Sequence, residues 1–205
     1  MIAVSFLKSK LSRIETLKKI DESDADLIHV DLIDGIYVGE RNFEISKVLD
    51  ELKNVDKPLD IHLMVENPEQ YIAELAKLKP NIITFHLNTT DNIESTIDLI
   101  KDYNIKVGIA INPDESIYLI DELIDKIDYI LIMGVYPGMG GQSFIPEVLN
   151  KVDYLANKDI LLGIDGGVND ESIKMINKHK FDVIVSGSFV CMSDDYNDQI
   201  SKLKA

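Results

Sequence analysis

Cysteine and basic charge are both scarce in this sequence. The one cysteine, Cys191, cannot form an internal disulfide, so a disulfide-stapled scaffold and a Cys-rich metal motif are excluded. This cysteine usage fits a reducing compartment, and we expect a cytoplasmic protein. The chain carries 21 Lys and Arg against 36 Asp and Glu, a formal net charge of −15. Because nucleic acids and anionic membranes bind through excess Lys and Arg, we expect no nucleic acid and no membrane among the partners.

Long apolar runs and linkers are also absent from the sequence. No uninterrupted apolar stretch approaches the roughly 20 residues that a membrane helix needs, and the start, MIAVSFLKSKLSRI, lacks the features of a signal peptide. No Pro/Gly/Ser-rich linker, low-complexity tract or block of like charge interrupts the chain. With 45% hydrophobic residues over 205 positions the chain can bury a substantial core, and we expect one domain spanning residues 1–205.

Eight short runs rich in Ile, Val and Leu alternate with longer amphipathic stretches, a pattern typical of βα units around a buried parallel sheet. The runs are IAVSF (2–6), LIHVD (27–31), LDIHLM (59–64), IITFH (82–86), KVGIAI (106–111), YILIMGV (129–135), ILLGID (160–165) and VIVSG (183–187). Eight units at spacings of roughly 22 to 30 residues predict a protein of the α/β class with a closed (β/α)8 TIM barrel. An open doubly wound sheet is the alternative, and eight units disfavour it.

Capping signals mark two helix starts. Asn67 before Pro68 predicts an N-cap followed by a first-turn proline, and Asp91 with Glu94 resembles a capping box. Apolar residues at helical spacing predict another helix near residues 170–179. We expect the apolar faces of these helices to cover the sheet.

Polar residues collect where the predicted strands end, which is where TIM barrels carry their active sites. These residues are Ser5, His29, Asp31, His62, His86, Asn112, Asp165, Gly187 and Ser188. Three of the four histidines of the chain are among them. The fourth, His179, falls late in a predicted helix, where a solvated residue that compensates the helix dipole is expected.

His29, Asp31, His62 and Asp165 are expected to converge from three strands on the barrel axis. Two imidazoles and two carboxylates suit a divalent transition metal that keeps open positions for substrate oxygens. We expect Zn²⁺, although Fe²⁺, Mn²⁺ and Co²⁺ accept the same ligands. Asp60 precedes His62 by two residues and therefore shares its face of the strand, where a supporting role is expected.

Glycine-rich stretches follow the last three predicted strands, at residues 137–142, 165–168 and 186–188. Backbones without Cβ atoms can approach an anion closely and direct several N–H groups at it. Tight turns are the alternative explanation for each stretch alone, but three at consecutive strand ends predict a phosphate cradle. Because the strongly acidic chain would repel an anion, this cradle has to be built locally, and we expect it to contain no lysine.

A metal and a phosphate site on one barrel mouth predict a short phosphorylated substrate. Asp31 and Asp165 could act as general bases on opposite faces of one carbon, one removing a proton and the other returning one. The metal would stabilise the enediolate formed between these steps. The expected outcome is inversion at one carbon of a ketose phosphate.

The sequence resembles the ribulose-phosphate 3-epimerases along nearly its whole length. The matching stretches are Ser5 with Leu7, HVDLIDG (29–35), HLMVENP (62–68), GIAINP (108–113), PGMGGQSFI (137–145), DGGV (165–168) and SGS (186–188). The resemblance implies a ribulose-phosphate-binding barrel, conversion of D-ribulose 5-phosphate to D-xylulose 5-phosphate, and a homo-oligomer of two or more copies. It also implies that His29, Asp31, His62 and Asp165 bind the metal, with Asp31 and Asp165 as the catalytic acid/base pair. The substrate-binding residues implied are Ser5, His62, Met64, Met133, Gly138, Gly140, Gly141, Gly166, Gly167, Gly187 and Ser188.

The sequence departs from the family pattern around the expected active-site mouth. Where the family usually reads MDGHFVPN, residues 33–40 read IDGIYVGE, and its Asn-Pro-Gly-Phe becomes Tyr-Pro-Gly-Met at 136–139. The Ser-Ala-Asp after the first strand becomes Lys-Ser-Lys at 8–10, and the usual acid after the fourth strand is Asn88. None of these positions is an expected metal ligand or base, so the reaction type is retained while the substrate is open.

Three alternatives remain open. An allulose-6-phosphate 3-epimerase resembles the family in fold and metal site. The orotidine-phosphate decarboxylase and hexulose-phosphate synthase group uses Asp-x-Lys-x-x-Asp, but Asp31 occupies the lysine position here, and a carboxylate cannot take that cationic role. A catalytically inactive phosphosugar sensor would need the cradle alone, and the intact Asp31 and Asp165 argue against it.

Overall fold

Eight parallel strands close into a barrel in the order of the sequence. The structure, a computed structural model, describes residues 1–204. The strands are β1 (Ile2–Ser5), β2 (Leu27–Ile33), β3 (Leu59–Met64), β4 (Ile82–His86), β5 (Lys106–Ile111), β6 (Tyr129–Met133), β7 (Leu161–Asp165) and β8 (Val183–Ser186). All eight predicted strands are present, and the predicted (β/α)8 barrel is confirmed over the open sheet.

Strand register brings the strand ends to one level of the barrel. Ser5 pairs with His29 across β1 and β2, Asp31 pairs with His62 across β2 and β3, and Met133 pairs with Asp165 across β6 and β7. Because side chains alternate between the two faces of a strand, one set points into the barrel and the other toward the helices. The polar residues that the sequence placed at strand ends therefore meet at one rim.

The strands are connected by α1 (Arg13–Asp21), α2 (Ile45–Leu52), α3 (Glu69–Leu75), α4 (Ile93–Asp102), α5 (Asn150–Leu155) and α6 (Ile173–Ile176), and β8 is followed by α7 (Ser188–Cys191) and α8 (Tyr196–Leu203). The crossover between β5 and β6 contains two 3₁₀ turns, Ile117–Ile120 and Ile124–Lys126, where the repeat would place an α-helix. Ile117 and Ile120 are nevertheless buried, so this crossover still covers the sheet. Within residues 1–204, no helix is long and apolar enough to cross a membrane.

Both predicted capping residues are wrong in detail. Asn67 has φ +51°, a left-handed conformation, and α3 begins at Glu69 after Pro68 with no side-chain cap. The Asn67 N–H instead donates to the Thr89 carbonyl at 2.7 Å, which ties two loops together. At α4 the capping residue is Asn92, whose Oδ1 accepts the Ser95 N–H at 3.0 Å.

The helix predicted near residues 170–179 is shorter than its apolar spacing indicated. Only Ile173–Ile176 is helical, and His179 lies beyond the helix end. The His179 Nδ1 is 4.0 Å from Asp153 Oδ1, a partner at the surface. His179 therefore lies outside the strand-end rim, as expected, but it does not belong to a helix.

Part of the acidic excess stabilises the end of the barrel opposite the strand-end rim. Three aspartates that precede strands accept a backbone N–H from the neighbouring strand: Asp26 from Ile2 at 2.7 Å, Asp128 from Val107 at 2.9 Å and Asp182 from Leu162 at 2.9 Å. A charged acceptor strengthens such a hydrogen bond. These carboxylates hold strand starts together at a distance from the site.

Cys191 is buried in α7, and its thiol donates to the Ser5 carbonyl at 3.3 Å. Burial raises the pKa of the Cys191 thiol to about 12. Because only the thiolate reacts, we expect no labelling by a disulfide reagent such as DTNB at pH 8 in the folded protein and one labelled thiol per chain after denaturation. Rapid labelling of the folded protein would contradict the packing of α7 on β1.

Candidate active site

His29 on β2 is completely buried inside the barrel. Its Nδ1 is 2.8 Å from Oδ2 of Asp60 on β3, and this carboxylate accepts the Nδ1–H. Its Nε2 is 3.4 Å from Asp31 Oδ1 and 3.8 Å from Asp165 Oδ2, and it makes no hydrogen bond within residues 1–204. One ring nitrogen is therefore anchored, and the other is directed at two carboxylates.

The charge around His29 favours a cation at Nε2. Burial alone would lower the pKa of His29, but the Asp60 and Asp31 carboxylates outweigh it and hold that pKa well above the usual value. A proton on Nε2 would balance the negative charge of the carboxylates, and a metal ion bound through the lone pair of the same nitrogen would also balance it. His29 thus fits a metal ligand, because its Nε2 has no hydrogen-bond partner among the described residues and its Nδ1, bonded to Asp60, fixes the orientation of the ring.

His62 on β3 is held in a similar way. Its Nδ1 is 3.1 Å from Asp31 Oδ1 and 3.7 Å from Asp165 Oδ2, whereas its Nε2 is 2.9 Å from Nε2 of His86 on β4. Burial and the neighbouring His62 hold the pKa of His86 well below the usual value, so His86 is neutral. His86, for which the sequence offered no definite role, therefore fixes the far edge of the His62 ring.

The two carboxylates have different environments. Asp31 Oδ2 accepts the Ser5 Oγ–H at 2.6 Å. Burial would raise the pKa of Asp31, but His29 and His62 outweigh it and hold that pKa below its usual range. For Asp165, burial and then the neighbouring Asp31 raise the pKa to about 6 against the opposing effect of His29. In the metal-free protein Asp31 is the stronger acid of the pair.

The four predicted metal ligands come together in the structure. One ligand atom from each of His29, Asp31, His62 and Asp165 lies within 4.8 Å of the others. The two imidazoles are fully buried, whereas 5% of the Asp31 side chain and 15% of the Asp165 side chain are exposed. The carboxylates thus form the floor of a pocket with the imidazoles beneath them, a cluster that could hold a divalent metal ion.

The pocket above this floor contains about 560 Å³ of space, including its open mouth. Twelve of the predicted site residues line it: Ser5, Asp31, Met64, Met133, Gly138, Gly140, Gly141, Asp165, Gly166, Gly167, Gly187 and Ser188. His29 and His62 lie below its surface. The structure therefore brings the predicted metal ligands and the predicted substrate-binding residues to a single pocket.

Close packing explains why two of the loop positions are glycine. Gly167 has φ +71°, and a Cβ there would lie 2.5 Å from the backbone nitrogen of Phe144. Gly141 has φ +83°, a conformation that other residues rarely adopt. A positive φ and close packing within the protein therefore both favour glycine at these positions.

The expectation of a cradle without lysine is wrong. The side chain of Lys8, three residues after β1, runs along Gly140 and Gly141 and lines the pocket. A Cβ on Gly140 would lie 3.1 Å from Lys8 Cβ, and a Cβ on Gly141 would lie 2.7 Å from Lys8 Nζ. The signal available in the sequence was the change from the small serine of the family pattern to lysine in the loop that follows the first strand.

Asp34 holds the loop after β2. Its Oδ1 accepts the N–H groups of Ile36 and Tyr37 at 2.8 and 3.0 Å, and its Oδ2 accepts the Glu66 N–H at 2.8 Å. The side chain therefore joins the loops that follow β2 and β3. Asp34 thus makes the hydrogen bonds of a turn residue.

Asn112 and Gln142 also bond to the loops at the mouth. Asn112 Nδ2 donates to the Tyr37 hydroxyl at 2.9 Å, and the Tyr37 ring lies 5.0 Å from the His86 ring. Gln142 Nε2 donates to the carbonyls of Tyr136 and Met139 at 2.7 and 2.9 Å. The altered loops after β2 and β6 are thus held by bonds within the protein.

Comparison with known proteins places this barrel in a family. The sequence profile described as the ribulose-phosphate 3 epimerase family matches residues 1–191. The ribulose-phosphate 3-epimerase of Buchnera aphidicola subsp. Baizongia pistaciae is 39% identical, with 96% of this chain and 91% of that protein covered. The ribulose-phosphate 3-epimerase of Bacillus subtilis is 34% identical, with 99% of this chain and 97% of that protein covered.

Solved structures show the same fold at low identity. KGPDC from Streptococcus mutans has a TM-score of 0.74 and 15% identity over 99% of this chain and 94% of that one. At this identity the likeness shows the fold alone, a TIM barrel. The sequence profile and the two relatives assign the chain to a family as well as to a fold, because each covers nearly the whole chain. The chain belongs to the ribulose-phosphate 3-epimerase family of isomerases.

Proposed function

We propose that this chain catalyses metal-dependent epimerisation at carbon 3 of a ketose phosphate, converting D-ribulose 5-phosphate to D-xylulose 5-phosphate. The observation that carries the proposal is the pair of carboxylates, Asp31 and Asp165, on the pocket floor above two buried imidazoles. The names of the relatives support the pentose substrate.

His29, Asp31, His62 and Asp165 are the residues that would hold the metal. The feature that fits a metal ligand best is the Nε2 of His29, which points at the Asp31 and Asp165 carboxylates while Nδ1 is bonded to Asp60. We propose Zn²⁺, because mixed imidazole and carboxylate ligands suit it, although Fe²⁺, Mn²⁺ and Co²⁺ accept the same set. A bound divalent cation supplies positive charge that stabilises negative charge on the substrate oxygens.

Asp31 and Asp165 would transfer the protons. They belong to β2 and β7, which are three strands apart around the barrel through β1 and β8, so they reach the pocket from different directions. One residue, as the carboxylate, removes the carbon-3 proton to give an enediolate, and the other, entering the step as the carboxylic acid, protonates the opposite face and so inverts that carbon. The Ser5 hydroxyl, 2.6 Å from Asp31 Oδ2, holds the Asp31 carboxylate in one orientation.

The glycine-rich loops would hold the phosphate end of the substrate. Gly140, Gly141, Gly166, Gly167, Gly187 and Ser188 share the pocket with the two carboxylates. A phosphate bound beside the ends of β7 and β8 is a recurrent arrangement in TIM barrels. Met64 at the end of β3 and Met133 at the end of β6 supply apolar surface to the pocket.

We expect the metal-loaded protein to exchange the carbon-3 proton of D-ribulose 5-phosphate with solvent. Proton NMR in D₂O should show loss of that proton signal and appearance of D-xylulose 5-phosphate. A chelator should abolish both changes, and added metal should restore them. D-Allulose 6-phosphate serves as the second substrate, and a higher kcat/KM for it would replace the pentose assignment. Binding of both sugars without exchange would instead indicate a sensor.

Asp31→Asn and Asp165→Asn should each lower kcat for carbon-3 exchange by about 10²- to 10⁴-fold, because an amide cannot accept the proton. The matched control is Asp182→Asn, which changes a carboxylate bonded to a backbone N–H at the opposite end of the barrel. Circular dichroism and Tm establish that each variant is folded. Activity of Asp165→Asn equal to that of the control would remove Asp165 from the mechanism.

Asp60→Asn should weaken metal binding by about 10- to 100-fold, because a neutral amide supports the His29 ring less well than a carboxylate does. Titration calorimetry of the metal-free protein with Zn²⁺ measures this loss directly and without turnover. Asp128→Asn is the control, since the Asp128 carboxylate accepts the Val107 N–H at the end of the barrel away from the site. Equal Zn²⁺ affinities of the wild-type protein and Asp60→Asn would contradict the support that Asp60 gives to His29.

A further inference from the structure

Lys8 occupies an unusual place among the cations of this chain. It is the only Lys or Arg among the described residues that line the active-site pocket. Its side chain extends over the loop after β6, with Cβ near Gly140 and Nζ near Gly141. Because neither glycine has a Cβ, the lysine stem can lie directly on the backbone of that loop. The ammonium group is thereby brought to the glycine-lined part of the pocket.

The charge of Lys8 is not neutralised by a neighbouring acid. Within residues 1–204, Lys8 forms no ion pair and no side-chain hydrogen bond, whereas Lys10 of the same loop is paired with Asp194. The acids of the pocket, Asp31 and Asp165, are engaged with the buried imidazoles and Ser5. A positive charge at the mouth of a chain with net charge −15 is therefore free to meet an anion.

A cationic side chain would strengthen the binding of a phosphate dianion in this protein. Backbone N–H groups of glycine-rich loops supply partial charges only, and the overall field of the chain opposes an anionic ligand. An ammonium group on a flexible stem offers a full charge and three donors to phosphate oxygens. At the distance of a direct hydrogen bond, a charged donor contributes more than a neutral one does.

We propose that Lys8 is a substrate-binding residue that holds the phosphate group of the ketose phosphate from the side of the loop after β6. The proposal rests on the proposed function for the phosphorylated substrate. Lys8 is a feature of this chain, because the family pattern has serine at this position. It gives the acidic pocket a means of selecting phosphorylated over unphosphorylated sugars.

The test compares Lys8→Ser, which installs the residue of the family pattern, with Lys8→Arg and with Lys10→Ser. Lys10 is the matched control because it lies in the same loop but is paired at the surface. Inorganic phosphate is the probe, and its affinity for the metal-loaded proteins is measured by titration calorimetry at two salt concentrations. KM and kcat for D-ribulose 5-phosphate are measured in parallel.

We expect Lys8→Ser to weaken phosphate binding by about tenfold or more, with a smaller salt dependence, since one charged contact is removed. Lys8→Arg should keep affinity within about threefold, and Lys10→Ser should match the wild-type protein. KM for the sugar phosphate should rise by the same factor as the phosphate Kd, with kcat nearly unchanged, because the contact is uniform through the reaction.

Unchanged phosphate affinity in Lys8→Ser, or an equal loss in Lys10→Ser, would overturn the proposal. So would a wild-type protein that binds no inorganic phosphate. Loss of phosphate binding in Lys8→Ser without any turnover by the wild-type protein would support Lys8 and reject the epimerase function. The two proposals can therefore fail separately.

Discussion

The site depends on burying two carboxylates and two imidazoles in one small space and balancing their charges. Ligand atoms of the four residues lie within 4.8 Å of one another, and the imidazoles have no contact with solvent. Burial opposes every charge there, so each charged group requires a partner of opposite sign. Asp60 behind His29, His86 behind His62 and the Ser5 hydroxyl on Asp31 are the contacts that fix this arrangement. The strand register of the barrel brings the four side chains close together, and these contacts then fix their orientations.

Much of the fold and most of the site could be predicted from the sequence, because both follow from short-range rules. Apolar runs marked the strands, and the two-residue alternation placed His29 and Asp31 on the same face. Helix boundaries were less predictable: Asn67 takes a left-handed conformation to meet Thr89, and Asn92 takes the cap expected of Asp91. The conformation of Asn67 depends on a hydrogen bond between loops that are distant in sequence, whereas Asn92 is chosen over Asp91 by a local bond to Ser95. The place of Lys8 against Gly141 depends on packing between two distant loops, those after β1 and β6.

The acidic residues have two separate roles at opposite ends of the barrel, and the net charge does not distinguish them. Asp26, Asp128 and Asp182 bond to backbone N–H groups at the strand starts and contribute to the stability of the barrel. Asp31 and Asp165 lie at the other end, with proton affinities that their surroundings push apart. The sign of the whole chain therefore says little about its pocket. What matters for an anionic ligand is the local balance, within residues 1–204, of two engaged carboxylates, the glycine-rich backbone and the ammonium group of Lys8.

Closure of the sheet also limits how copies of this chain can associate. Each of the eight strands has a hydrogen-bonded neighbour on both sides, so the sheet offers no edge to another chain. Strand addition, a common route to both dimers and fibrils, is therefore blocked as long as the barrel is folded. Copies of this chain that associate would have to do so through helix and loop surfaces, so such an interface could change without altering the strands that carry the site.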